Sequence, residues 1–418
     1  MTATLRCDDL AARPSAPPRP ARSAQRVLAL DWARGGMLIA SLVNVGVLAP
    51  RPLAMQHAAW FGVRPIDLVF PVFVALAGVG LALANRRPVP VRTTVRRSLT
   101  LFACSLAYNA VTAKSLDWHT WQVTGPLTVY AGLVLVIGLA GRRVRGAAAW
   151  GAITLVLAAV DTWLQATKAA GCPGGVLAPT CNLSGVVDPA VLGTGHIYHH
   201  GQLGHDPEGL VSFLGTLVSA GAGITAGWIL IRLRGRWLAP VVVAAWAMVL
   251  VAAGVTADVW LEPFKRQWTP PFALLTAALA LAPVVVGTVL FDLPRWRPWH
   301  VLTGALAWPL VALGRNSLLT YFGSHALYDV SVLYGEPAYS QRVLAWFAEH
   351  APDHDPRRLF LLATVGGWWA LAMALHAAGI YVTAGGVRVR RRPRVALPET
   401  PSAEAVREPA VAAARHGG

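Results

Sequence analysis

Residues 64–84 read RPIDLVFPVFVALAGVGLALA and are followed at once by Asn85-Arg86-Arg87. An apolar run of about twenty residues crosses the hydrocarbon core of a bilayer as a helix, because there every backbone polar group must be satisfied within the segment. Asp67 stands at the entry of this run and paired arginines at its exit. The same template, carried outward, finds further spans at 27–49, 96–113, 124–140, 146–165, 209–231, 238–256, 271–291, 300–330 and 358–384. The segment 300–330 is long and contains Pro309 and Gly314, so it is expected either to kink or to divide into two short pieces. The expected fold class is therefore all-α, a polytopic membrane helix bundle of about ten transmembrane helices.

Composition supports the same class. Of the 418 residues, 55% are hydrophobic and only 13% are charged, with a mean hydropathy of +0.50. A soluble domain of this size needs more charge to solvate its surface, whereas lipid-facing helices require apolar side chains. The net charge of +16 raises nucleic acid as a partner, but its distribution argues against it. Three Lys stand against 33 Arg, and the arginines fall in short clusters between apolar runs. No nucleic-acid partner is expected; the expected surroundings are a lipid bilayer.

Lys and Arg are retained on the cytoplasmic side of a membrane, so the clusters set the orientation. The N-terminal stretch carries Arg13, Arg19, Arg22 and Arg26, and every second connection is then basic: Arg86–Arg97, Arg142–Arg145, Arg232–Arg236, and Arg295 with Arg297. The C-terminal stretch adds Arg388, Arg390, Arg391, Arg392 and Arg394. This alternation expects a multi-pass protein of the cell membrane with both termini cytoplasmic. Residues 1–25 read as a disordered tail without the apolar core of a signal peptide, so that the first span serves as targeting signal. Residues 26–385 form the membrane domain, with a long outer loop at 166–208, and 386–418 form a basic tail suited to anionic lipid headgroups. Cys172 and Cys181 share the outer loop, where a disulfide is permitted but two free thiols are equally compatible with the spacing. The absence of an evident internal repeat weighs against an inverted-repeat transporter.

Ionisable groups in or beside a span are costly, so each needs a partner or a task. Asp31 and Arg34 lie three apart on one face of the first helix, where they can pair with each other or contact an anionic donor. His57 and Asp67 both fall at the outer boundary. An imidazole there can take a proton from an attacking amine or hydroxyl, and a carboxylate can fix its tautomer. His196, His199, His200 and His205 crowd one loop, but without a fixed ligand geometry, and no metal is expected. Glu208 can orient an acceptor amine or simply favour a helix N-terminus. Lys265 reads as a boundary anchor or a site residue. Asn316 and Ser317, inside a span, suit hydrogen bonds between helices or contact with substrate.

The segment Arg26…Asp31…Arg34-Gly35, then Asn44, then His57-Ala58-Ala59-Trp60, then Asp67-Leu68-Val69-Phe70-Pro71 resembles the opening of the heparan-α-glucosaminide N-acetyltransferase family. Further similarity runs through Asp188, Leu192-Gly193, His196-Ile197-Tyr198, Asp206-Pro207-Glu208-Gly209, Pro263, Lys265, Trp268 and Gly314-Arg315-Asn316-Ser317, so that it covers roughly residues 26–330. The pattern departs at Phe61, at Gln122–Val129 and at Asp188-Pro189. The resemblance implies a transmembrane acyltransferase with cytoplasmic acetyl-CoA as its donor substrate and a sugar-like acceptor at the outer face. It implies His57 as general base or nucleophile, Asp67 as its orienter and Asn44 as an oxyanion donor. Trp60, His196, Asp206, Glu208, Lys265 and Asn316 would contact substrate, and Asp31 with Arg34 would contact the donor. A reading from another class, a transporter or flippase of a glycan or lipid-linked substrate, fits the same span pattern. The sequence leaves open whether copies assemble into a homo-oligomer.

Overall fold

The computed structural model describes residues 27–293 and 295–389, which form thirteen α-helices and one β-hairpin. In chain order the first helices are α1 (Leu28–Gly46), α2 (Val69–Ala84), α3 (Val91–Ala113), α4 (Pro126–Ala140) and α5 (Ala147–Ala170). A short α6 (Ser184–Leu192) precedes α7 (Leu210–Arg232), α8 (Leu238–Asp258) and α9 (Pro270–Gly287). Then come α10 (Arg297–Arg315), α11 (Ser317–Leu333), α12 (Tyr339–His350) and α13 (Pro356–Ala377), followed by β1 (Ile380–Thr383) and β2 (Gly386–Val389). The expected tails at 1–25 and beyond 389 lie outside the described residues.

Each of the ten apolar segments coincides with helical structure. By length and apolarity alone, six helical stretches among the described residues can cross a membrane: Pro65–Ala84, Ala147–Ala170, Leu210–Arg232, Leu238–Asp258, Pro270–Asp292 and Pro356–Ala378. The protein is thus a helical membrane protein. The segment 300–330 does divide in two, but not at its proline: α10 runs through Pro309 and stops at Arg315. The break is at Asn316, whose side chain turns to β1, donating from Nδ2 to the Ile380 carbonyl (3.3 Å) and accepting from the Val382 N–H (3.1 Å). The all-α expectation therefore needs one amendment, an antiparallel hairpin pairing Ile380 with Val389 and Thr383 with Gly386. The connection at 331–357, between two of the expected spans, contains α12.

The centre of the bundle is α2, α7 and α9, whose apolar side chains Leu76, Val79, Val218, Ile224, Leu274 and Leu281 are buried together. α13 lies at the other extreme, with Ala372 as its one fully buried residue. In lipid there is no hydrophobic force between helices, so close approach of backbones through small residues takes its place. α1 and α10 show this reciprocally. A side chain at Gly35 would strike the Leu310 carbonyl, and one at Gly314 would strike the carbonyl of Asp31.

The loop at 166–208 is held as a folded unit. Cys172 and Cys181 are joined by a disulfide, which decides between the two readings left open by the spacing. Asn182 Nδ2 faces the carbonyls of Ala178, Pro179 and Gly204 at 2.8–3.0 Å. Asp188, from α6, accepts from the first amides of α7, Leu210 (2.9 Å) and Val211 (3.3 Å), and so caps that helix from a distance in sequence.

Substituting Gly314→Val should force α10 off α1 and cost about 1–3 kcal/mol. Thermal unfolding in detergent should show a clear loss relative to Gly304→Ala, at a position that faces open space.

Candidate functional site

The site begins with Asp67, on the turn Pro65–Leu68 that leads into α2. Its Oδ2 accepts from the backbone amides of Arg64 (3.0 Å) and Ala58 (3.2 Å), and its Oδ1 lies 2.6 Å from Nδ1 of His57. The carboxylate is buried, whereas the His57 side chain is 46% exposed. A carboxylate only accepts, so the proton between the two sits on Nδ1. That leaves Nε2 of His57 with its lone pair on a side chain that is partly exposed.

Two cations flank this dyad. Lys265, on the turn before α9, places Nζ 3.3 Å from His57 Nδ1 and 3.9 Å from Asp67 Oδ1. Arg266 donates from Nε to the Ala58 carbonyl (3.3 Å). The hydrogen bond to Asp67 raises the His57 pKa, but burial and the charges of Lys265 and Arg266 outweigh it, and the net shift is downward from 6.5. His57 is therefore a neutral base at pH 7. Burial also lowers the Lys265 ammonium against the opposing pull of Glu208 and Asp67. Glu208 is pushed up to about 7 by burial, with Lys265 acting in the other direction. Lys265 thus contacts the His57–Asp67 pair and shares a charge interaction with Glu208.

Three other expected substrate contacts sit around this group and hold its walls. Trp60 is buried, donates from Nε1 to the Leu177 carbonyl (3.1 Å), and packs on His205 and Phe264. It thereby clamps the disulfide loop onto the His57 loop. Asp206 is fully buried; it accepts from Thr124 Oγ1 (2.7 Å) and from the amides of Tyr198 and Glu208 (both 2.9 Å). This network fixes the turn that presents Glu208. His196 uses Nδ1 on the Trp121 carbonyl (2.9 Å), and its own carbonyl accepts from Val123 N–H (2.9 Å). His200 and His205 also use Nδ1 on carbonyls, and among the described residues no three His, Cys, Asp or Glu converge to hold a metal ion.

Asn44 lies in the last turn of α1, its Oδ1 buried and without a hydrogen-bond partner. Nothing among the described contacts joins it to His57. Asn316 is committed to the hairpin, as described above. Asp31 and Arg34 lie toward the opposite end of α1, about 20 Å and about 15 Å from Asn44 at 1.5 Å per residue. They line a cleft of about 300 Å³ with Tyr130, Arg315, Tyr321 and the hairpin residues Val382–Ala384. Arg34 donates from Nη2 to the Leu76 carbonyl (2.9 Å).

Arg64, Arg266 and Arg315 are additions that the sequence reading did not assign to a site. Arg64 donates from Nη1 to the carbonyl of His57 (3.2 Å), and Arg315 stacks its guanidinium 3.7 Å from the Tyr381 ring centroid. Arg315 carried a signal, a cation within an apolar run. Arg64 and Arg266 did not, because loop arginines are common near membrane boundaries.

No family model matches the chain. It is similar to two curated proteins, the heparan-alpha-glucosaminide N-acetyltransferases of Mus musculus and Homo sapiens, at 23% identity over 366 and 363 residues respectively. The matches cover 73% of this chain and 54% and 53% of those proteins, so the chain spans about half the length of the curated relatives it matches. At that distance the comparison supports a distant relationship to heparan-alpha-glucosaminide N-acetyltransferase and carries over no substrate.

Proposed function

We propose that this protein is a transmembrane acyltransferase that moves an acetyl group from cytoplasmic acetyl-CoA to an amine or hydroxyl of a sugar-like acceptor at the outer face. The observation that carries this reading is the His57–Asp67 pair, with Nδ1 engaged, the His57 side chain half exposed, and Lys265 beside it. The distant N-acetyltransferase relatives supply the reaction class. The alternation of Arg-rich loops supports ten crossings, both termini in the cytoplasm and His57 on the outside.

Coenzyme A carries phosphates that lipid does not admit, so its headgroup belongs at the cytoplasmic end. The cleft lined by Asp31, Arg34 and Arg315 suits it, since a guanidinium binds phosphate oxygens in a planar fork. The thioester arm then extends between helices toward His57. His57 Nε2 takes the proton from the acceptor as its amine or hydroxyl attacks the thioester carbonyl. The carbon–sulfur bond breaks, and the thiolate leaves and takes up a proton. In the two-step variant Nε2 itself attacks, forming an acyl-imidazole that the acceptor then relieves. Asp67 steadies the imidazolium or acyl-imidazole, Glu208 orients the acceptor, and the orphan oxygen of Asn44 marks a polar position for the arm or acceptor.

The deciding assay uses sealed inverted membrane vesicles with labelled acetyl-CoA outside and amino sugars in the lumen. Wild type should accumulate labelled acceptor inside, and His57→Ala should lower the rate about 10²–10⁴-fold, the usual contribution of a positioned base. Equal rates in the two would overturn the assignment of His57.

The pH profile gives an independent check. A base must be deprotonated to act, and His57 lies below 6.5, so activity should rise through an acid limb below that pH and be flat at neutrality. Lys265→Met removes a cation that depresses the imidazole, and the limb should move to higher pH. A shift to lower pH would contradict the placement of Lys265. Glu208→Gln should raise KM for an amine acceptor more than it lowers kcat.

A further inference from the structure

A second cleft, of about 610 Å³, opens on the flank of the bundle between α1, α11, α12 and α13. Its walls are apolar, built from Val45, Leu327, Phe360, Trp368 and Leu371, with Tyr328 at one side. The contact of Gly46 with Leu361 shows that it lies at the end of α1 that runs into the His57 loop. The wall α13 is exposed along nearly its whole length, and α12 adds the exposed rings of Tyr339 and Trp346. Such a slot opens sideways, where the surrounding medium is lipid.

Arg51 distinguishes it from an ordinary lipid crevice. This residue donates from Nη2 to the Tyr328 hydroxyl (2.7 Å), places its guanidinium 5.3 Å from that ring's centroid, and donates from Nε to the Val47 carbonyl (3.1 Å). Its geometry is therefore fixed at the rim of the slot. Among the described residues no carboxylate pairs with it, nor with Arg64 or Arg266. Arg51 stands six residues before His57, and Gln56 ties back to its carbonyl at 2.6 Å. A chain of six residues spans at most about 20 Å. The order along the chain is therefore an apolar slot, a guanidinium at its rim with no carboxylate paired to it, and then, six residues on and folded back through Gln56, the imidazole of His57.

We propose that this cleft holds the lipid tail, and Arg51 the phosphate, of a lipid-linked sugar that is the acceptor for His57. A fixed guanidinium recognises phosphate oxygens in pairs, and apolar walls recognise a chain by area. A bilayer phospholipid could fill the slot, but its headgroup would bring nothing to His57. A sugar carried on the phosphate extends from Arg51 past Arg64 toward Nε2. This inference rests on the acyl-transfer reading of the site, and it narrows the acceptor from sugars in general to those anchored by a lipid phosphate.

The test uses the full chain in uncharged detergent micelles with a photoactivatable farnesyl phosphate as probe. Labelled peptides should come from α11 and α13. Arg51→Gln should weaken labelling about tenfold or more, as expected for loss of a charge-assisted contact. Gly367→Trp points a ring into the open slot and should abolish labelling, with monodisperse elution confirming that both variants fold. Farnesol should compete poorly, and so should phosphatidylglycerol and inorganic phosphate. Equal competition by farnesol or phosphatidylglycerol, with Arg51→Gln unaffected, would reduce the slot to a general lipid crevice and overturn the inference. Displacement by inorganic phosphate alone would overturn the tail's role. If wild type acetylates a soluble amino sugar through His57 yet takes up no probe, the anchor site alone fails. If it takes up the probe but transfers nothing, the acyl-transfer reading fails and the phosphate-lipid site stands.

Discussion

The buried carboxylate of Asp67 is the constraint on which the site depends. A carboxylate taken out of water must find donors, and this one finds three: the amides of Ala58 and Arg64 and the ring of His57. Those bonds do more than satisfy a charge. They draw residues 57–64 into a tight loop against the start of α2 and fix one edge of the imidazole. A helix entry that would otherwise be an anchoring boundary becomes a rigid mount for His57.

The surrounding polar network is graded in the same way. Asp188 and Asp206 spend their oxygens on backbone amides and hydroxyls, so they fix the outer loop and the start of α7. Glu208 has no comparable partners, and its burial drives it toward the neutral form. The contrast is between carboxyls held by hydrogen bonds and one that lacks them among the described residues. Lys265 works on both sides of this division, since its charge lowers the pKa of the imidazole and opposes the rise in Glu208.

Much of this was legible in the residues. The long apolar runs located the helices, since a run such as 64–84 has few alternatives in a bilayer. The pairing of His57 with Asp67 was readable because both are costly at a boundary and each relieves the other. What could not be read was which way side chains face across long sequence distances. Trp60, Asp206 and His196 look like site residues in a motif, and the hydrogen bonds each makes to the loops around it were not legible there. Asn316 has the pattern of a residue inside a span, but its amide serves a hairpin some sixty residues away, whose short, partly polar strands carry no periodic signal. Lys265 lies over two hundred residues from His57, and its contact with the dyad depends on where the turn before α9 docks.

The bridge between Cys172 and Cys181 closes a small ring, and from within that ring the carbonyl of Leu177 receives the indole N–H of Trp60. The crosslink and the clamp are thus coupled, and the crosslink forms only where thiols are oxidised. A chain threaded with this loop on the reducing side would lack the ring, and with it a firm seat for the indole beside His57. Maturation of the loop therefore records the redox side on which it folded, before any substrate is met.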